Sequence, residues 1–239
     1  MADEPGREST DSTTSTEPSN DAEPVVSFVV PARNEADYIR GTLSSIAALD
    51  TAYAYEVIVV DGASTDGTVD IAREYDVRVI EQDGLGIAPA RNQGAEAARG
   101  EWLAFVDADT QVRANYLTAM LGFVQVERVT AASSYCRVTG PLRGKLMELT
   151  INGLFSRLEP PILAGFNFFV SRRAFREFGG FPNVGNEDTA FSRTLGKEVP
   201  TGVCRRVLVE SSGRRIADSG LTGTLWHYLT LDVDRVRSG

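Results

Sequence analysis

Two aspartates, Asp107 and Asp109, follow a short apolar run and are the residues of this sequence best suited to chemistry. The run from Trp102 to Val106 is continuously apolar, as expected of a strand buried on both faces of a mostly parallel sheet. Ligands of open α/β sheets bind just beyond the carboxyl ends of the strands. Paired carboxylates there suit a hard divalent cation, Mg²⁺ or Mn²⁺, that takes its other ligands from water and substrate phosphates. The alternative is an ordinary polar turn, because aspartate readily bonds its own backbone.

The pattern of apolar residues before Trp102 predicts the elements that position these acids. Strands are expected over 25–30, 55–60 and 77–80, and helices over 38–49, 68–75 and 87–98. This close β-α-β-α-β-α-β spacing implies an α/β fold with a mostly parallel central sheet and right-handed crossovers.

After Thr110 the regular alternation stops. Helices are expected over 113–126 and 187–196, and strands within 129–138 and 205–209. The stretch 142–158 is amphipathic, and 164–170 is rich in glycine and phenylalanine. No linker separates the two halves, so we predict one domain over 25–239.

Charge and composition exclude several classes of protein. Residues 1–24 carry seven acids against Arg7 and almost no large apolar residues, which predicts a disordered acidic tail. The remaining 26 acids and 23 basic residues leave no basic excess, so nucleic acid is not an expected partner. Cys136 and Cys204 lack metal-type spacing and fit a reducing compartment. No secretory signal or membrane-spanning run is apparent, so a cytoplasmic location is expected.

Polar residues also follow the first and second predicted strands, at Pro31–Glu35 and at Asp61–Thr68. Because the carboxyl ends of parallel strands meet at one edge of a sheet, these groups should converge with Asp107 and Asp109. The Asp61 carboxylate there can accept a hydrogen bond from a base N–H or a ribose hydroxyl. The alternatives are structural: Asp61 can form a turn with Gly62, Asp66 can cap the following helix, and Glu35 is favoured by a helix dipole.

Six motifs in order resemble those of family 2 glycosyltransferases, and the resemblance covers about residues 25–220. They are Val-Val-Pro-Ala-Arg-Asn-Glu, Asp-Gly-Ala-Ser-Thr-Asp-Gly-Thr, Ala-Arg-Asn-Gln-Gly, Asp-Ala-Asp, Gly-Phe-Asn-Phe-Phe-Val-Ser-Arg-Arg and Asn-Glu-Asp. The resemblance implies a GT-A fold, a three-layer sandwich whose nucleotide-sugar half is about 25–110 and whose acceptor half is about 111–239. It also implies metal-dependent, inverting transfer from a nucleotide-diphosphate sugar, with a UDP-sugar favoured over a GDP-sugar.

The resemblance further implies roles for individual residues. On the donor side, Asp109 binds the divalent cation with Asp107 assisting, and Arg91 meets the donor phosphate or sugar. An alternative for Arg91 is a surface arginine bonded to a nearby acid. The remaining donor contacts implied are Pro31, Ala32, Arg33, Glu35, Asp61 and Ala108, joined by Arg214 and Arg215 in a loop that closes over the diphosphate.

On the acceptor side the resemblance makes Asp188 the catalytic base, with Glu187 and Asn167 as acceptor contacts. The alternative is that Glu187 and Asp188 only favour a helix N-terminus. His227 is either a metal ligand or, more in keeping with Trp226 and Tyr228 beside it, a packed aromatic neighbour.

The expected acceptor is a glycan, a lipid-linked carrier or a small molecule. The Gln-x-x-Arg-Trp motif of processive synthases is missing, which favours transfer of a single sugar. The stretch 142–169 either packs in the core or rests on a bilayer as a peripheral membrane contact. Two other functions stay open: a nucleotidyltransferase that makes the activated sugar, and a non-catalytic scaffold that binds it.

Overall fold

The first half of the chain alternates strands and helices as its sequence predicts. A computed structural model describes residues 23–140 and 142–213. Its first elements are β1 (Val26–Ala32), α1 (Ile39–Ala47), β2 (Tyr55–Asp61), α2 (Thr68–Ala72), β3 (Arg78–Glu81), α3 (Ile87–Ala97) and β4 (Trp102–Val106).

The second half contains the expected elements and two that the sequence pattern did not indicate. Its elements are β5 (Thr110–Val112), α4 (Tyr116–Glu127), β6 (Ala131–Thr139), α5 (Leu142–Leu149), β7 (Asn167–Ser171), α6 (Arg172–Glu177), α7 (Glu187–Glu198) and β8 (Thr201–Ser212). A π-helical turn, Thr150–Leu154, and a 3₁₀ turn, Phe155–Arg157, continue α5. The unexpected elements are β5, which has three residues and pairs with distant β8, and α6, a short helix that Ser171 caps by accepting from the Ala174 N–H.

Within the described residues the strands form one sheet of eight, in the order β3-β2-β1-β4-β7-β6-β8-β5. Strands β1, β2, β3 and β4 pair in parallel, so their carboxyl ends lie at one edge. Strand β7 then runs antiparallel to β4 and β6, and β8 runs parallel to β6 with a bulge. The sheet is therefore parallel where the donor motifs lie and mixed beyond β4.

Apolar clusters cover both faces of the sheet. One includes α1 and α4 and packs on Phe28, Val30 and Val59, while the other includes α3 and α7 and packs on Val29 and Ile58. All seven residues of β1 are buried. In the second cluster five phenylalanine rings pack together beneath the end of β4: Phe105, Phe168, Phe175, Phe181 and Phe191.

Candidate active site

Three carboxylates from opposite halves of the chain line one cavity at the edge of the sheet. Asp107 and Asp109 follow β4 and are only 7% and 8% exposed, and Asp188 comes from the first turn of α7. The cavity has a volume of about 190 Å³. The edge predicted from the strand pattern thus brings the Asp-x-Asp motif together with the acid expected to act as the base.

Backbone N–H groups hold the carboxylate of Asp188 in place. The Gly165 N–H donates to Oδ2 at 2.9 Å, and the Thr189 N–H donates to Oδ1 at 2.6 Å. The residue immediately before α7, Asn186, has a left-handed backbone with φ of 58°, which turns the chain sharply into the helix. The loop before β7 and the start of α7 therefore orient this acid together.

Arg91 links the two halves through buried ion pairs. Its side chain is 3% exposed; Nη2 lies 2.8 Å from Asp107 Oδ1, and Nη1 lies 2.5 Å from Glu187 Oε1. The guanidinium carbon also lies 5.3 Å from the centre of the Phe181 ring, a cation–π distance. The residue lies in the second turn of α3, and its partners are protein carboxylates. The alternative interpretation of Arg91, an arginine bonded to a nearby acid, therefore describes its contacts, although the side chain is buried and not on the surface.

Glu187 is the partly buried member of this network. Burial raises the pKa of its carboxyl above the ordinary value, Arg91 opposes that shift, and the negative charge of Asp188 adds to it. Its Oε1 accepts from Arg91 Nη1, which fixes the Glu187 carboxyl next in sequence to the cavity residue Asp188.

Hydrogen bonds through side chains tie together the loops after β1 and β2. The N–H groups of 34, 35 and 36 donate to the side chains of Ser64, Thr68 and Asp66, and the Thr65 N–H donates to Asn34 Oδ1. Asp66 also accepts from the Thr68 N–H at the start of α2, so it has the capping role given as its alternative.

One carboxylate oxygen of Asp61 forms a turn, and the other has no hydrogen-bond donor among the described residues. Its Oδ2 accepts from the Ser64 N–H at 3.1 Å, as in the turn interpretation, while Oδ1 is buried without a hydrogen-bond partner among the described residues. A buried oxygen of this kind is stabilised by a donor from a ligand. Near it, Glu35 is buried, Pro31 and Ala32 are buried within β1, and Arg33 is exposed.

Of the predicted site residues that the structure describes, Asp107, Asp109 and Asp188 line the cavity, whereas Asn167 and Ala108 are among those that do not. Asn167 is fully buried in the sheet, and its Nδ2 donates to the Ser134 backbone oxygen and Oγ at 2.9 Å. Ala108 is also fully buried, and its carbonyl accepts from the Thr42 hydroxyl at 2.7 Å. Both residues make these contacts within the protein, and their contacts to donor or acceptor stay predictions.

The cavity wall opposite the acids is apolar, and sequence reasoning did not assign it. The apolar spacing of 142–158 could have indicated this wall, because one side of that segment supplies Met147, Ile151 and Phe155. Two serines from the end of β8 also line the cavity, immediately before the predicted arginine loop. The wall is completed by Val138, Ile162, Ala164, Phe166, Ser211 and Ser212.

Three expectations fall outside the described residues: Arg214 and Arg215, His227, and all but the last two residues of the acidic tail. Over 23–140 and 142–213, no helix is both long and apolar enough to cross a bilayer.

Across the same described ranges, no three Asp, Glu, His or Cys side chains form a metal-binding group. Asp107 and Asp109 supply two carboxylates, which is a partial set of oxygen ligands. Such a set fits a hard cation that completes its shell with phosphate oxygens and water.

Comparison with known proteins gives a family and a fold. The model of the family described as glycosyl transferase family 2 matches residues 27–179. Over 103 residues the chain is 40% identical to the putative glycosyltransferase EpsH of Bacillus subtilis, covering 41% of this chain and 30% of that protein. It is 29% identical over 172 residues to the glycosyltransferase AglE of Haloferax volcanii, covering 67% of this chain and 57% of that one. The chain thus spans about a third to somewhat over half of these relatives' lengths.

Solved structures confirm the predicted GT-A-type α/β fold. A structure of S. aureus TarS in complex with UDP-GlcNAc has a TM-score of 0.66 at 20% identity, covering 78% of this chain and 58% of that one. The mannosyltransferase PcManGT from Pyrobaculum calidifontis, in complex with GDP-Man and Mn²⁺, has a TM-score of 0.63 at 26% identity. That match covers 80% of this chain and 58% of the other.

Proposed function

Because this chain belongs to glycosyl transferase family 2, we propose that it moves a single sugar from a nucleotide-diphosphate sugar to an acceptor hydroxyl with inversion. The observation that carries the proposal is the cavity in which Asp107 and Asp109 meet Asp188. An enzyme of this kind needs an acidic site for the donor and, opposite it, an acid that takes a proton.

The donor side has the groups needed for a nucleoside. The unpartnered Oδ1 of Asp61 can accept from a base or ribose, and the buried Glu35 lies on the adjoining loop. The relatives in solved structures bind UDP-GlcNAc and GDP-Man, which supports a nucleotide-sugar here, with a UDP-sugar favoured.

Asp109, assisted by Asp107, would hold a divalent cation. When bound, the cation stabilises negative charge on the departing diphosphate as a Lewis acid. The Mn²⁺ in the PcManGT complex supports this assignment. Through its ion pair with Asp107 Oδ1, Arg91 fixes the orientation of that carboxylate and limits how it can bind the donor.

Asp188 is the proposed general base. The acceptor oxygen forms a bond to C1 of the sugar as the bond from C1 to the diphosphate oxygen breaks, and the hydroxyl proton passes to the Asp188 carboxylate. The nucleoside diphosphate leaves. A single displacement inverts C1, and a positioned base typically contributes about 10²–10⁴-fold in rate.

The apolar wall supports an acceptor with an apolar part, such as a lipid-linked carrier. Met147, Ile151 and Phe155 would contact that part while the hydroxyl meets Asp188. Glu187, fixed by Arg91, would contact the acceptor beside the base. A cytoplasmic location and peripheral membrane contact stay predictions from the sequence.

The test combines donor binding with product analysis on matched variants. We expect Asp188→Asn to reduce transfer by about 10²–10⁴-fold while donor binding in Mn²⁺ is kept. Asp109→Asn should abolish the Mn²⁺-dependent thermal stabilisation, which for a donor at 100 times its Kd is about 2.7 kcal/mol. The control is Asp70→Asn, an 87% exposed acid on α2, which should change neither property.

Product identity separates the alternatives. Release of nucleoside diphosphate supports transfer, whereas release of pyrophosphate would make the protein a nucleotidyltransferase. Donor binding with no product from any UDP-, GDP- or dTDP-sugar, over a panel of lipid-linked and glycan acceptors, would favour the scaffold.

A further inference from the structure

The segment that lines the cavity is apolar on its outer side as well. Leu142, Leu146 and Leu149 are spaced at i, i+4 and i+7 and lie on one side of α5, which we call the leucine face. Their exposed fractions are 86%, 45% and 68%. The apolar exposure continues at Leu154 and Leu158, which are 58% and 38% exposed. Contiguous exposed apolar surface of this kind indicates a contact that the described residues do not supply.

The chain beyond the described residues starts beside this face. The Gly213 N–H donates to the Thr139 carbonyl at 2.8 Å, and a Cβ placed on Gly140 would lie 3.8 Å from Gly213 Cα. Gly140 is two residues before Leu142. The segment 214–239 therefore leaves the sheet next to the first turn of α5.

That segment has an apolar pattern of its own. Leu221, Leu225, Leu229 and Val233 recur at every fourth position, a spacing that gathers residues on one face of a helix. The seven residues 214–220 separate Gly213 from Leu221, and an extended chain of that length spans up to about 25 Å. That reach is ample for Leu221 to meet α5, a helix of eight residues and thus about 12 Å long.

We propose that the C-terminal segment, residues 214–239, packs its apolar residues on the leucine face of α5. Two apolar surfaces of one chain, tethered to each other at Gly213, are then removed from water together. Because Met147 on the other side of α5 and Ile151 in the π-helical turn that continues it line the cavity, the packed segment supports the cavity wall from behind. This inference concerns packing and does not depend on the transferase activity.

The test measures accessibility of the leucine face in the full chain. The native thiols offer a low background: both are buried, and burial raises the pKa of Cys136 to about 12. We expect the thiol introduced by Leu146→Cys to react with a maleimide at least 10-fold more slowly than the one introduced by Val126→Cys on α4, where the native side chain is 77% exposed. Adding Leu225→Glu and Leu229→Glu should speed labelling at 146 at least 10-fold and leave labelling at 126 unchanged.

A second variant is independent of the glutamate substitutions. Leu146→Cys combined with Leu225→Cys or Leu229→Cys should form a disulfide within one chain under mild oxidation.

Equal labelling rates at 146 and 126 would show that the leucine face is exposed to solvent and would overturn the proposal. Protection at 146 that disappears on dilution would indicate a second copy instead. Protection that requires vesicles of phosphatidylglycerol and phosphatidylcholine would indicate a membrane. Either of these results also overturns it.

Discussion

The two halves of the molecule build their shares of the cavity by different means. In the first half, parallel strands end at one edge, where Asp61 is the last residue of β2 and Asp107 directly follows β4. In the second half the cavity residues come from β6, from α5 and the turns that continue it, from the loop before β7, from α7 and from the end of β8. The first half follows the general rule for ligand sites in α/β sheets. The second half depends on tertiary packing specific to this chain.

Arg91 connects the two halves of the molecule. It belongs to α3 of the first half, yet one of its ion pairs is with Asp107 and the other is with Glu187 of α7. A buried charge is tolerated only when it is paired and hydrogen-bonded. Arg91 therefore joins an acid of the first half directly to an acid of the second, in addition to the Asn92–Phe181 hydrogen bonds and the β4–β7 pairing, and the predictions below act on it.

The largest effect is expected from Arg91→Met, which leaves two buried carboxylates without their cation. Removing one partner of a buried ion pair typically costs about 3–5 kcal/mol, and we expect a loss of that size in the free energy of unfolding. Transfer and donor binding should both fall. Urea denaturation and thermal shift with donor measure these effects.

The matched control is Arg40→Met in the same half. Arg40 makes a bidentate pair with Glu74 at 2.6 and 2.8 Å, but both side chains are about half exposed. Solvent screens such a pair, so its loss should be much smaller than that of Arg91→Met. Equal losses in the two variants would contradict the view that burial makes Arg91 the link between the halves.

A smaller effect is expected from Gly165→Ala, which keeps Arg91 but displaces its guanidinium. A Cβ added at Gly165 would lie 2.6 Å from Nη1 and 2.8 Å from Nη2 of Arg91, so Gly165→Ala must displace the guanidinium. Overpacking of this kind costs about 1–3 kcal/mol. Because the Gly165 N–H also holds Asp188, we expect kcat to fall more than donor affinity, as measured by steady-state kinetics and calorimetry.

Gly122→Ala is the control for Gly165→Ala. Within 4 Å of a Cβ at Gly122, in α4, the described residues leave open space, and alanine favours a helix over glycine by about 1 kcal/mol. It should leave activity unchanged and the stability equal or higher. A stable, fully active Gly165→Ala enzyme would mean that Arg91 can move without consequence.

The smallest effect concerns the charge of Glu187. Burial raises its pKa, so the folded state keeps the proton to a higher pH than the unfolded state, whose pKa is near 4.5. The folded state then binds more protons, and the free energy of unfolding contributed by this group falls as pH rises from about 4.5 through the folded pKa.

Glu187→Gln should remove that fall, and the difference in slope is at most about 1.4 kcal/mol per pH unit. Urea denaturation from pH 4 to 8 measures it. Glu177→Gln on α6, whose side chain is 61% exposed, controls for the loss of a surface charge. Parallel curves for wild type and Glu187→Gln would contradict the assignment.

The position of a strand in the fold could be predicted where the residues of the strand itself determine it. β1, β2 and β4 are apolar runs ended by polar residues, and their parallel pairing follows from the intervening helices. By contrast, β5 exists because its three residues pair with β8, about a hundred positions later. No local pattern carries that information.

The same distinction holds for the site. Asp107 and Asp109 lie at the cavity because they come just after the end of β4, so their position could be predicted from the local sequence alone. The partner of Arg91 on α7 is 96 positions away, and a helical pattern does not reveal which anion a buried arginine will meet. Asn167 stands within a motif that suggested ligand contact, but the alternation of β7 turns its amide inward to Ser134.

The hydrogen bonds between the loops after β1 and β2 have a consequence for the thermodynamics of binding. Because Asn34, Ser64, Asp66 and Thr68 already fix both loops, a nucleotide that binds between them, as proposed, would lose little free energy to ordering the backbone. Association on this side should then be a single step at the rate of encounter, and differences in affinity among nucleotides should lie mainly in their dissociation rates.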